Sequence, residues 1–179
     1  MNNFAGSRFA GSRFAGSRIA EEKIAQGISF VITWKNRGDS MEATWLQWYE
    51  GLQKPGWTPE PATIGLIWQV LYPLIAFSCI FVFLKACRGN LPWRVALPFA
   101  INLVANLAFT PIQFGLRNLL LASFDISIVL VTIVWGMIVI WRYQRWVAVL
   151  QVPYLAWVAI ATVLQFMITW LNVISPSML

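Results

Sequence analysis

The string LLLASFDISIVLVTIVWGMIVIW, residues 119–141, carries a single charge, Asp125. At about 1.5 Å of rise per residue a helix of this length covers ~35 Å, enough to cross the ~30 Å hydrocarbon layer of a bilayer. Runs of the same character flank it at 62–84, 95–116 and 147–171. Each is near the ~20 residues that a span requires. The connections are short: Lys85 to Arg94, Arg117-Asn118, and Arg142 to Trp146. Short links make consecutive helices antiparallel neighbours. The fold class expected is therefore an all-α integral membrane protein, an up-and-down bundle with four spans.

Composition agrees with this reading. Of 179 residues 59% are hydrophobic and 11% charged, whereas soluble domains carry about 25% charged residues. Residues 61–179 contain only Lys85, Arg88, Arg94, Arg117, Asp125, Arg142 and Arg145. Five of these basic groups flank the first and third connections, and the opposite side has Lys54 and Arg117 with Glu42, Glu50 and Glu60 nearby. The bias puts the first and third connections inside. It also accounts for the net charge of +6 by membrane topology, so nucleic acid is not an expected partner. The sequence has no histidine, which removes the commonest metal ligand and general base together with any Ser-His or Cys-His dyad. No catalytic or metal-binding residue is expected. Cys79 and Cys87 lie on one helix, ~12 Å apart along its axis and too far for a disulfide.

Each span carries a stripe that is not plain hydrocarbon. The stripes are Gly65, Trp68 or Gln69, Tyr72 and Ala76; Asn102, Asn106, Phe109 and Gln113; Asp125, Thr132 and Gly136 beside Trp135; and Trp157, Ala161, Gln165 and Asn172. The spacing puts each set on one helix face. Amides facing lipid are costly, so the four faces are expected to converge inside the bundle. They would serve either as packing glue or as the wall of a pocket. Glue is the favoured role for Asn102 and Gln113. Trp93, Trp141 and Trp146 sit beside arginines at helix ends and read as an interfacial belt. Asp125, a turn or two into its helix, is expected to cap it or to pair with Arg117.

Before the spans the chain changes character. Residues 4–18 are three copies of Phe-Ala-Gly-Ser-Arg, a period that builds no single helix or strand face, so 1–40 is expected to be a disordered arm. The apolar patch 24–34 is too short to span. Residues 41–61 hold Trp45, Trp48, Tyr49 and Trp57 among Pro55, Gly56, Pro59 and Pro61, and should form an aromatic lid over the outer mouth of the bundle. The bundle itself is assigned to 62–172 and a short tail to 173–179.

Several strings resemble the TspO/MBR family of tryptophan-rich sensory or translocator proteins. They are Trp48-Tyr49 with Leu52 to Pro59; Gly65, Trp68 and Leu71-Tyr72; Asn106, Pro111, Phe114-Gly115 and Asp125; and Pro153 to Trp157 with Ala161-Thr162, Leu164 and Leu171-Asn172. They run in family order over residues 45 to 172. The resemblance implies a five-helix bundle, often homodimeric, that binds a porphyrin or haem or another hydrophobic molecule and requires no cofactor. It also implies a role in tetrapyrrole transport or stress sensing; the alternatives are light-dependent porphyrin breakdown, an enzymatic role, and a divergent bundle that binds nothing and serves a structural or regulatory role. Carried over by position, the ligand would meet Trp57, Trp68, Asn106, Phe109, Trp157, Ala161 and Leu164, with Gln165 where the family has asparagine. Ala62 and Phe109 stand where members carry tryptophan, and Glu60 where they carry proline. No first span precedes Trp48, so a four-helix version is expected, in a bacterial membrane for preference. The family's sterol-recognition position has Phe166 in place of tyrosine, but Val139, Tyr143 and Arg145 fit that loose pattern elsewhere.

Arg37-Gly38 can be encoded by a purine-rich ribosome-binding sequence just upstream of Met41, which is the expected native start. N-terminal sequencing of the natural protein should then begin at or just after Met41, and a sequence beginning at Met1 refutes this.

Overall fold

The computed structural model describes residues 44–174. The arm expected over 1–40, with its repeats and apolar patch, lies outside them, as does the tail from 175. The chain divides into two compact units, Met1–Glu50 and Gly51–Leu179. In the first, residues 44–50 are helical, with Trp45 and Trp48 half-buried and Tyr49 buried. Burial raises the pKa of the Tyr49 phenol above its ordinary value.

The second unit is helical throughout its ordered elements. Pro61–Cys87 forms α1, Trp93–Thr110 forms α2 and continues as a π turn over Pro111–Gly115, and Leu119–Trp141 forms α3. Arg145–Leu150 forms α4, and Val152–Thr169 forms α5, which ends in a π turn over Trp170–Ile174. Proline placement explains most boundaries. Pro61 opens α1, where a missing N–H costs nothing. Pro111 cannot donate to the α ladder, and the register widens there, with Leu116 N–H reaching Pro111 O at 2.9 Å. Pro153 sits just past the break that separates α4 from α5.

The α1 terminus shows how the chain turns at a membrane surface. Gly89 takes φ +71°, its N–H meets Ala86 O at 3.0 Å, and Asn90 N–H meets Lys85 O at 2.9 Å. This pair of bonds satisfies two carbonyls that the helix leaves open, and the left-handed residue is the glycine that tolerates it. At the other end of the bundle the Asn118 side chain caps α3 by accepting from Leu121 N–H at 3.0 Å. Asn118, and not Asp125, therefore holds the cap position. Asp125 is buried, and its Oδ2 has no hydrogen-bond partner among the described residues.

Four stretches are long and apolar enough to cross a membrane among the described residues: Pro61–Cys87, Trp93–Gly115, Leu119–Trp141 and Arg145–Ile174. Their outward faces carry Leu66, Val70, Val104, Leu107, Phe124 and Val131, all exposed, which only a lipid solvent accommodates. Among these spans α3 is central. It packs on α2 through one side and on α5 through the other, and α1 lies against α2. Three of the four polar stripes face inward as expected. That of α1 does not: Gly65, Gln69, Tyr72 and Ala76 are exposed, and the buried face is Leu71, Ile75, Ser78, Val82 and Ala86. The two faces differ by one residue, ~100° of rotation, and the aliphatic set offers the closer packing. Trp68 remains at the edge of the core.

α2 packs on α3 at Gly136, where an added Cβ would lie in van der Waals contact, 3.4 Å from the Phe99 ring. Gly136→Ala should fit and raise thermal stability slightly through its higher helix propensity. Gly136→Leu should overpack the contact and cost about 1–3 kcal/mol, read as a lowered Tm in detergent or nanodiscs. Equal stability of the two variants would show that the helices separate freely there.

Candidate functional site

The site candidates surround a polar junction at the middle depth of the bundle. Tyr154, near the start of α5, is 1% exposed. Its hydroxyl donates to Asn102 Oδ1 at 3.1 Å and accepts from Asn106 Nδ2 at 2.9 Å. Asn102 Nδ2 in turn donates to Thr132 Oγ1 at 2.9 Å and to Val129 O at 3.0 Å. One phenol thus links α5 to α2, and the amide it meets links α2 to α3. The Trp68 ring of α1 meets the Tyr154 ring edge-on at 6.3 Å and stacks on Tyr72 at 5.3 Å. A cavity of about 10 Å³ adjoins the junction, with Ile75, Phe99 and Ile133 on its apolar side and Asn102, Thr132, Gln151 and Tyr154 on the other.

Toward the Asn118 end the same faces continue. Phe109, on the face of Asn106, and Trp157 and Ala161, on the face of Tyr154, pack against the apolar core. Leu164 is buried one turn beyond Ala161. The Trp157 indole is half-buried, yet its Nε1 is fully enclosed and has no acceptor among the described residues. An enclosed N–H without a partner costs about 1–3 kcal/mol, so the indole is a donor awaiting an acceptor.

Two candidates stand apart from this group. Trp57 is 48% exposed in the turn Pro55-Gly56-Trp57-Thr58, which Thr58 closes by donating from both N–H, at 3.0 Å, and Oγ1, at 2.6 Å, to Pro55 O. Gln165 is buried, but its Nε2 points to Leu119 O at 3.4 Å and Thr169 Oγ1 at 3.3 Å. There it belongs to a second polar node between α3 and α5, with Ser123 and Thr169 hydroxyls 2.7 Å apart. Gln113 is buried, and its Oε1 has no hydrogen-bond partner among the described residues. The Gly51–Glu60 loop is fastened to the end of α5 by Asn172, whose Oδ1 accepts from Gln53 N–H at 2.9 Å and whose Nδ2 donates to Gln53 O at 2.8 Å.

Tyr154 is the residue of the junction that sequence reasoning did not single out as a candidate. Its signal was present: it lies three residues before Trp157, on the same face of the same helix, within the matched string Pro153 to Trp157. Among the described residues no cluster of histidine, cysteine, aspartate or glutamate could hold a metal ion.

The sequence pattern of the TspO/MBR family matches residues 24–171. The chain is similar to the uncharacterized membrane protein YtaB of Bacillus subtilis, 39% identical over 127 residues, 70% of this chain and 81% of that one. It is 37% identical to the tryptophan-rich protein TspO of Bacillus cereus over 125 residues, 70% of this chain and 80% of its relative. Similarity extends to the translocator protein of Homo sapiens, 31% identical over 129 residues, 68% of this chain and 72% of the human protein. The matched region begins well upstream of Trp45, so it takes in the apolar patch 24–34 as well as the four spans.

Removing the Tyr154 hydroxyl tests the junction. Tyr154→Phe leaves Asn106 Nδ2 and Asn102 Oδ1 without their shared partner and should cost about 1–3 kcal/mol. The expected reading is a lower Tm with an unchanged helical circular dichroism spectrum. An unchanged Tm would mean that the amides find other partners.

Proposed function

The chain belongs to the TspO/MBR family and is an integral membrane protein, and from that premise we propose that it binds a flat hydrophobic tetrapyrrole, a porphyrin or haem, among the inner faces of α1, α2 and α5. The observation that carries the reading is the enclosed, unanswered N–H of Trp157. It lies on the face that also presents Tyr154 and Ala161, and the facing helices bring Asn106 and Trp68 to Tyr154.

The chemistry suits such a ligand. Aromatic rings of Trp68, Trp157 and Phe109 offer faces and edges to an extended π-system, Ala161 is a small residue one turn from the indole, and amides answer a polar rim. A propionate or ring nitrogen would accept from Trp157 Nε1. Trp57 and Lys54, in the loop fastened by Asn172, stand outside this group and would meet the ligand at its polar edge. Relatives named translocator and tryptophan-rich sensory protein are the reason for reading the binding as serving transport or sensing.

The test is a protoporphyrin IX titration of the detergent-purified protein, read by tryptophan quenching. The chain has 11 tryptophans, so the readout survives the loss of one. Saturable quenching is expected, weakened roughly tenfold in Trp157→Phe, which keeps an aromatic ring, smaller than the indole, and removes the donor. Absence of saturable quenching by folded protein, or equal affinity in the variant, overturns the reading.

A further inference from the structure

At the end of the bundle away from Asn118 the structure holds a second cleft, of about 500 Å³, between the start of α2 and the end of α3. Arg94 borders it from the first turn of α2, and Arg142 borders it from the turn that follows α3. Trp135, Ile138, Val139 and Tyr143 line the rest. We infer that this cleft is a binding site for an anionic phospholipid of the adjoining leaflet, with the phosphate between the two guanidinium groups and an acyl chain along Ile138 and Trp135.

Three observations lead there. First, the described part of residues 61–179 offers the two arginines no nearby counter-charge: its single acid is Asp125, 17 positions before Arg142 and thus ~25 Å away along the axis of α3. The first turn of α2 carries no acidic residue either, so its positive helix end adds to the field of Arg94. Two guanidiniums flanking one cleft present paired N–H forks, the geometry that phosphate oxygens satisfy bidentately.

Second, the polarity of the cleft is graded as a phospholipid is. Trp135, Ile138, Val139 and Arg142 recur at the spacing of one helix face over ~10 Å of rise. The charged and phenolic groups are at its basic end, where headgroups lie, and Ile138 and Trp135 point deeper and are exposed. Tyr143 supplies a hydroxyl at glycerol depth. Third, the cleft lies at the end of the bundle where Trp93 and Trp141, next in sequence to Arg94 and Arg142, are exposed as an interfacial belt, which is headgroup depth.

The arrangement also changes the meaning of a sequence pattern. Val139 and Tyr143 belong to the sterol-like string that Arg145 completes, but the structure places Arg142 and Arg94, and not Arg145, in the cleft with them. A sterol brings one hydroxyl and no charge, and leaves both guanidiniums unanswered. The site is remote from the tetrapyrrole reading and stands without it.

The experiment uses the full chain in nanodiscs of equal phosphatidylglycerol and phosphatidylcholine, released into the gas phase so that retained lipid is weighed by native mass spectrometry. Wild type should retain the anionic lipid over the zwitterionic one by roughly tenfold, as charge-assisted hydrogen bonds warrant. The Arg94→Gln/Arg142→Gln double variant should retain both equally, while Arg145→Gln keeps the preference. The Tm of each variant in pure phosphatidylcholine confirms that it is folded. Equal retention in wild type overturns the proposal, as does loss of preference in Arg145→Gln equal to that in the double variant, which would show diffuse surface charge. Displacement of the lipid by millimolar glycerol 3-phosphate would show a soluble-phosphate site, and likewise overturns it.

Discussion

The bundle depends on a phenol that cannot reach water. Inside a bilayer apolar surface gains nothing by leaving lipid for protein, so helices are held by close packing and by polar groups that must answer one another. The Tyr154 hydroxyl is answered by two asparagines of α2, and one of these also holds a threonine and a carbonyl of α3. The depth of α5 relative to α2 and the rotation of α2 relative to α3 are set together by these bonds. Slipping any helix by one residue would break several at once. The faces that carry Phe109, Trp157 and Ala161 inherit their alignment from it.

The fold was legible because the solvent is simple. Span boundaries read from hydropathy and basic residues fall within a few residues of Pro61–Cys87, Trp93–Gly115, Leu119–Trp141 and Arg145–Ile174. Inward faces were legible from amides on α2 and α5, as at Asn102, Asn106 and Gln165. On α1 the outcome differs: Gly65, Gln69 and Tyr72 suggested one face, and Leu71, Ile75 and Val82 supply another, with the Gln69 amide left exposed. Polarity alone does not orient a helix whose aliphatic face packs more closely, and periodicity does not report shape. The break at Gln151 and the π turns were also silent, because proline marks only that the ladder is interrupted and not how the chain repairs it.

For the site, the resemblance brought out Trp68, Asn106 and Trp157, and geometry adds the residue that connects the first two. Sequence spacing along one helix placed Tyr154 and Trp157 together, but the hydrogen bonds from α5 to α2 span 48 and 52 residues. No local pattern encodes such a pairing. Gln165 illustrates the converse: it shares a face with Ala161, yet its amide joins the hydroxyls of Ser123 and Thr169 at the Leu119 carbonyl, at the start of α3. Where the amide goes is decided by a polar node that includes another helix.

The clasp between Gln53 and Asn172 joins positions 119 residues apart. Ribosomes add about 5–20 residues per second, so Asn172 is synthesised on the order of ten seconds after the loop it fastens. Throughout that interval the loop has no partner from α5, and the last span must be seated before the two hydrogen bonds can form. Order in the Gly51–Glu60 loop is therefore a record of completed insertion: the beginning of the bundle is closed by its end.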